Sequence, residues 1–156
     1  MAIAADGTIA YRWLQYRIDT LYVFARILLD DIAVLLDRSL GTNSIGTHTG
    51  VAKHLPRLAQ SREIIGYEEV VSRSEALTER VKPFRDDYVV HRSIKKPGAA
   101  RGLARDPDGR YRSSVGGITD PKPGEEAQYV VSDHPEELMV ALEDYLESVL
   151  NVVEQT

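Results

Sequence analysis

The sequence predicts an all-α fold: an antiparallel four-helix-type bundle interrupted by one long irregular segment at about 93–128. Three observations predict it. Four stretches carry apolar residues in steps of three and four. No convincing strand alternation separates the helical stretches, and such helices bury their stripes against one another. The interrupting segment holds six of the eleven glycines and four of the seven prolines, a composition that cannot continue a helix.

The first helix is marked by Tyr11, Leu14, Ile18, Leu21, Ala25, Leu28, Ile32 and Leu35, with Tyr22, Leu29, Ala33 and Leu36 widening the stripe. It is expected to end near Ser39, with Gly41 as a left-handed cap. Residues 42–49, rich in Gly, Ser, Thr and Asn, read as a loop. A shorter helix follows on Val51, Leu55 and Leu58, disturbed by Pro56. Ser72 and Glu75 have capping-box spacing, ahead of Leu77, Val81, Phe84, Tyr88 and His91. Pro83 must kink that third helix or start a new one. Asp133 with Glu136 marks the cap of a last helix carrying Leu138, Leu142, Tyr145, Val149 and Val152. Within the irregular segment, Asp106-Pro107-Asp108-Gly109 has Pro and Gly where a type I turn wants them, flanked by Arg105, Arg110, Tyr111 and Arg112, which predicts a small basic hairpin.

A length of 156 residues is about one domain, so 1–156 reads as a single helical domain with a basic insertion before its last helix. Apolar residues at 43% and charged residues at 28% exclude a largely disordered chain. With no cysteine there is no disulfide framework and no thiolate metal site. The first residues lack a basic region followed by an apolar stretch, and apolar runs such as Ile32–Leu36 are too short to span a bilayer; a cytoplasmic protein without membrane contact is expected. The net charge of −5 argues against bulk attraction to nucleic acid, yet residues 92–128 carry +3 and the rest −8.

The segment Arg85-Asp86-Asp87-Tyr88-Val89-Val90-His91 carries the candidate chemistry. Six helical positions separate arginine and histidine by about 120° and about 9 Å of rise, with Tyr88 between them. Asp87, four residues before His91, stands at the spacing that favours a protonated imidazole. Cleavage of RNA without metal needs such groups: a base for the ribose 2′-hydroxyl and a fixed cation for the charge growing on the phosphoryl oxygens. His91 suits the first role and Arg85 the second, while Arg92, seven residues from Arg85, returns to nearly the same face and could bind a neighbouring phosphate. A second reading stands beside this one. His91 continues the apolar stripe and reads equally as a core histidine satisfied by Asp87 or a carbonyl. Arg85 and Asp86 also read as a solvated face with Lys82, four residues before Asp86, as ion partner.

The Arg85, Asp86 and His91 pattern, with five residues between arginine and histidine near the end of a late bundle helix, resembles the HEPN superfamily of prokaryotic helical domains. The resemblance spans roughly residues 11–92 and 133–153 and leaves the basic insertion outside it. It implies a metal-independent endoribonuclease of the toxin or abortive-infection type, with Arg85 and His91 catalytic and Asp86, Asp87 and Tyr88 supporting. It also implies a homodimer that brings two motifs to one cleft, and a protein antitoxin among the partners. Inactive members of that family serve as binding modules, so an RNA- or protein-binding domain is the alternative. No cofactor and no metal is implied.

Candidate RNA contacts are Arg92, Arg101, Arg105, Arg110, Tyr111 and Arg112, because arginines interleaved with an aromatic ring suit unpaired bases; a solvated loop is the other reading of that stretch. His48 and His54 lack an accompanying carboxylate for metal binding, and His134 before Pro135 reads as a helix-end residue. Glycine-rich phosphate loops, His-Glu-x-x-His motifs and nucleophile elbows are absent from the sequence.

Overall fold

The computed structural model describes residues 2–83, 100–105, 107–118, 124, 126 and 129–156. In chain order they form α1 (Ala2–Ser39), α2 (His48–Arg62), α3 (Tyr67–Pro83), β1 (Ala100–Arg105), β2 (Tyr111–Ile118), β3 (Tyr129–Asp133) and α4 (Pro135–Val153). Two compact units result: Met1–Val23 with Pro83–Glu137, and Phe24–Lys82 with Leu138–Thr156. The four helices are those expected, and the second unit is their bundle.

The bundle core follows from helical periodicity. Leu29 and Leu36 of α1, Val51 and Leu55 of α2, Val70 and Leu77 of α3, and Tyr145 and Val149 of α4 are all buried. Every apolar position that marked the last helix, Leu138, Leu142, Tyr145, Val149 and Val152, is also buried. On α1 the buried stripe runs through Ile18, Tyr22, Ala25, Leu29, Ile32, Ala33 and Leu36, whereas Leu28 and Leu35 are 40% and 42% exposed. The stripe drawn from sequence was therefore too wide on one side.

α1 ends where expected. Gly41 adopts φ +58, its N–H donates to the Arg38 carbonyl (3.0 Å), and the Thr42 N–H donates to the Asp37 carbonyl (2.9 Å), a Schellman closure. The Asp37 carboxylate then gathers the loop beyond, accepting the N–H groups of Ser44 and Ile45 (both 3.1 Å) and the Thr42 hydroxyl. Burial alone would raise the Asp37 pKa, but these donors together hold it below the usual carboxylate range. α2 runs from His48 to Arg62 without a break at Pro56, so the disturbance expected there does not interrupt the helix.

Two helix starts differ from expectation. α3 begins at Tyr67, so Ser72 and Glu75 lie inside it rather than at its cap. The fully buried Val70 explains this: the stripe of Val70, Leu77 and Val81 begins two residues before Ser72 and needs a helical turn ahead of it. The Asp133 and Glu136 capping box is not formed either. Asp133 closes β3, where its carboxylate accepts the Tyr22 hydroxyl and the His134 N–H (2.8 Å), and Glu136 accepts the Ser113 N–H (3.1 Å). Pro135 opens α4 instead, at the position where a missing N–H costs nothing.

In the first unit the irregular segment contains the expected hairpin. β1 and β2 pair antiparallel from Ala100↔Gly116 to Arg105↔Tyr111. Gly109 takes φ +86 in the connection, and Asp108 accepts the Arg110 N–H (3.1 Å), a local side-chain turn. β3, which sequence reading did not find, completes a sheet of order β1-β2-β3 and pairs with β2 across a bulge at Val115/Gly116. The His134 Nδ1 donates to the Ser113 carbonyl (3.0 Å), giving that residue the end-of-helix role expected of it.

Candidate functional site

The predicted reacting groups Arg85 and His91, their neighbours Asp86, Asp87 and Tyr88, and the phosphate contact Arg92 lie outside the described residues. So does the continuation of the third helix beyond Pro83. Among predicted RNA contacts, Arg101 is described as a β1 position opposite Val115. The remaining four, Arg105, Arg110, Tyr111 and Arg112, sit around the hairpin turn and differ sharply in their partners.

Arg105 and Tyr111 are directly opposed across the antiparallel pair, so their side chains leave the sheet on the same face. Both are exposed, Tyr111 by 67%, and the Arg105 Nε donates to the Gly109 carbonyl (3.3 Å). Leu103, 59% exposed, shares that face two positions back. Arg110 extends into solvent with 85% of its side chain exposed and stands 3.5 Å from the Asp108 carboxylate. Arg112 points to the other face and pairs with Glu137 at 2.9 Å. Charge on the hairpin therefore divides. Arg105 remains beside an open aromatic ring, whereas Arg110 and Arg112 each have a carboxylate.

The Arg112 pair belongs to a small polar cluster that seats β2 on the first turn of α4. Burial raises the Glu136 pKa, but its own backbone N–H, the Ser113 donors and the Arg112 guanidinium outweigh that and hold it below the usual range. Arg112 thus has a structural task that the sequence did not reveal.

A second cluster, missed from sequence, lies in the helical unit. Asp30 and Arg26 are one helical turn apart on α1 and pair at 3.4 Å. The Asp30 Oδ1 accepts from His48 twice, from Nδ1 (2.8 Å) and from the backbone N–H (3.1 Å), and Arg26 contacts the same imidazole. A proton on Nδ1 lets the imidazole donate to Asp30, while the Arg26 guanidinium lies against both ring nitrogens. Burial raises the Asp30 pKa, but the His48 hydrogen bonds and then the Arg26 charge outweigh that, leaving a carboxylate that titrates below its ordinary range. Asp30 also supplies negative charge at the positive end of α2 and takes up one of its orphan N–H groups. With both ring nitrogens engaged and 4% exposure, His48 is a fastener between α1 and α2. The i, i+4 spacing of Arg26 and Asp30 was a visible signal; the histidine they hold was not.

Beside His48 a cavity of about 390 Å³ is walled by Thr49 and Ala52 of α2 and by Ser74, Glu75, Thr78 and Glu79 of α3. Ser74 is buried and donates weakly to the His48 carbonyl (3.4 Å). The two glutamates repel phosphate, so this cavity does not suit a nucleic-acid backbone. Among the described residues no group of three or more His, Asp or Glu is placed to hold a metal ion, and no helix is long and apolar enough to cross a membrane. No protein-family model, curated protein or solved structure matches the chain.

Proposed function

We propose that this protein acts on RNA as a metal-independent ribonuclease of the HEPN type, a cytoplasmic homodimer in which Arg85 and His91 of each copy face a shared cleft. The observation that carries the reading is the Arg85-Asp86…His91 spacing, in a chain whose described helices form a four-helix bundle. The hairpin supports it, since Arg105 beside the open ring of Tyr111 offers a cation and a stacking surface to an unpaired base.

In this reading His91 takes the proton of a ribose 2′-hydroxyl as that oxygen attacks the adjacent phosphorus. Arg85 meets the charge that builds on the phosphoryl oxygens. The bond from phosphorus to the 5′ oxygen breaks, that oxygen leaves with a proton from solvent, and the products carry a 2′,3′-cyclic phosphate and a 5′-hydroxyl. Asp87 orients His91, Asp86 and Tyr88 support the pair, and Arg92 holds a neighbouring phosphate. A protein antitoxin is the partner that would cover such a cleft.

A second reading is favoured by one observation: the exposed Arg105 and Tyr111 face is complete without the Arg85 and His91 motif. The chain would then be an RNA-binding module without activity. Incubation with single-stranded RNA in excess chelator separates the two. The nuclease reading expects cleavage that Arg85→Ala and His91→Ala each reduce by roughly 10²–10³-fold with the fold intact. RNA binding without cleavage, unchanged by both substitutions, supports the module.

A further inference from the structure

Four exposed residues in the part of α1 that belongs to the first unit make one face: Arg12, Trp13, Tyr16 and Arg17. They recur at the spacing of one helical turn and cover about 7.5 Å along the axis. Trp13 is 57% and Tyr16 65% exposed, their ring centroids lie 6.3 Å apart, and their planes stand at 88°. A cleft of about 310 Å³ lies against Arg12, Trp13 and Tyr16. Neither Arg12 nor Arg17 makes an ion pair or hydrogen bond among the described residues, whereas Arg26, Arg73 and Arg112 each meet a carboxylate.

Charge selects the occupant. An apolar helix laid over the two rings would strand two guanidinium groups against a surface that cannot pair them, a costly arrangement. A polyanion with flat aromatic units satisfies all four residues, because every base has a face to stack and every phosphate an acceptor for arginine. We propose that this face binds single-stranded RNA, with unpaired bases stacked on Trp13 and Tyr16 and phosphates held by Arg12 and Arg17. The inference rests on the reading that the protein acts on RNA, and it assigns that RNA a contact surface remote in sequence from both the motif and the hairpin.

Trp13 is the one tryptophan in the chain, so its fluorescence reports this face alone. The full-length His91→Ala protein, which leaves the probe uncut, is titrated with a short single-stranded oligoadenylate carrying an end label, read by both Trp13 emission and label anisotropy. Quenching of Trp13 that saturates with the anisotropy is the expected result. Tyr16→Ala should weaken binding by roughly tenfold. Replacing Arg12 and Arg17 together by alanine should lower the salt slope of log affinity by about 1.4, two phosphate contacts on a single strand. Duplexing the probe should abolish the quenching.

Silent Trp13 emission during binding overturns the proposal, as does an affinity that Tyr16→Ala changes by less than about twofold. So does stronger quenching by phosphatidylserine vesicles than by RNA, or sedimentation in which Tyr16→Ala dissociates a dimer while RNA affinity stays unchanged. A wild-type protein that cleaves nothing in chelator while Trp13 is quenched removes the nuclease reading and leaves this one standing. His91-dependent cleavage with silent Trp13 does the reverse.

Discussion

Asp30 holds His48 at two points, its Oδ1 lying 2.8 Å from the imidazole Nδ1 and 3.1 Å from the backbone nitrogen. One carboxylate on α1 thereby fixes the rotamer of a buried ring and the first turn of α2, with the Arg26 guanidinium against the same imidazole. Asp30→Ala leaves those donors without their charged acceptor and should cost roughly 2 kcal/mol. Asp30→Asn keeps an acceptor oxygen and should cost about half as much. Urea denaturation at neutral pH measures both.

Gly50 sits in the first turn of α2, where a Cβ would stand 1.8 Å from the Ile45 carbonyl oxygen and 2.8 Å from its carbon. Both obstacles are backbone, and the Gly50 N–H is already committed to the Thr47 carbonyl at 2.8 Å. Gly50→Ala should therefore destabilise by roughly 3 kcal/mol or more, because the loop must shift to admit a methyl group. Gly41→Ala meets no atom within 4 Å and bears the positive φ alone, so it should cost about 1 kcal/mol. Thermal melts of the two variants test the contrast.

Asp30, Asp37 and Glu136 all titrate below their ordinary range in the folded chain. A carboxyl with a depressed folded-state pKa adds stability above its unfolded value and loses that stability as pH falls through the folded one. Stability should thus decline between roughly pH 5 and pH 2. Asp37→Asn, which cannot titrate, should lower stability at pH 7 and flatten the decline. A decline as steep as that of the parent protein would show that Asp37 does not contribute to it.

These features differ in how far the sequence disclosed them. The end of α1 was legible because the Schellman closure at Gly41 is local, made by residues that are neighbours in the chain. The face of α4 was legible because one strong period decides it. Ser72 with Glu75, and Asp133 with Glu136, misled because capping boxes are also local patterns, and tertiary contacts overrode both. Val70 draws the helix back to Tyr67, while Asp133 and Glu136 are claimed by Tyr22 and Ser113, residues far away in the chain. β3 was invisible because five residues against a bulged strand carry little alternation of their own. Asp30 and His48 are 18 residues apart, and nothing in their spacing joins them. In the hairpin the turn was readable, but the division of its arginines was not, since Arg112 finds Glu137 only once α4 is in place.

That division yields a graded expectation for RNA affinity. Arg105→Ala and Tyr111→Ala should each weaken binding of single-stranded RNA by roughly tenfold. Arg112→Ala should change it by less than about threefold, its cation being held by Glu137, and should cost at most about 1 kcal/mol of stability. Filter binding over a salt series checks all three. Equal losses from Arg105 and Arg112 would contradict the assignment of the open face.

The chemistry proposed for Arg85 and His91 is tested most directly by the ends of the RNA it produces. Attack by the neighbouring 2′-hydroxyl predicts 2′,3′-cyclic phosphate and 5′-hydroxyl termini, formed in excess chelator and roughly 10²–10³-fold more slowly in His91→Ala. Mass spectrometry that finds 3′-hydroxyl and 5′-phosphate termini, or cyclic termini that form as fast in His91→Ala as in the parent protein, would contradict it.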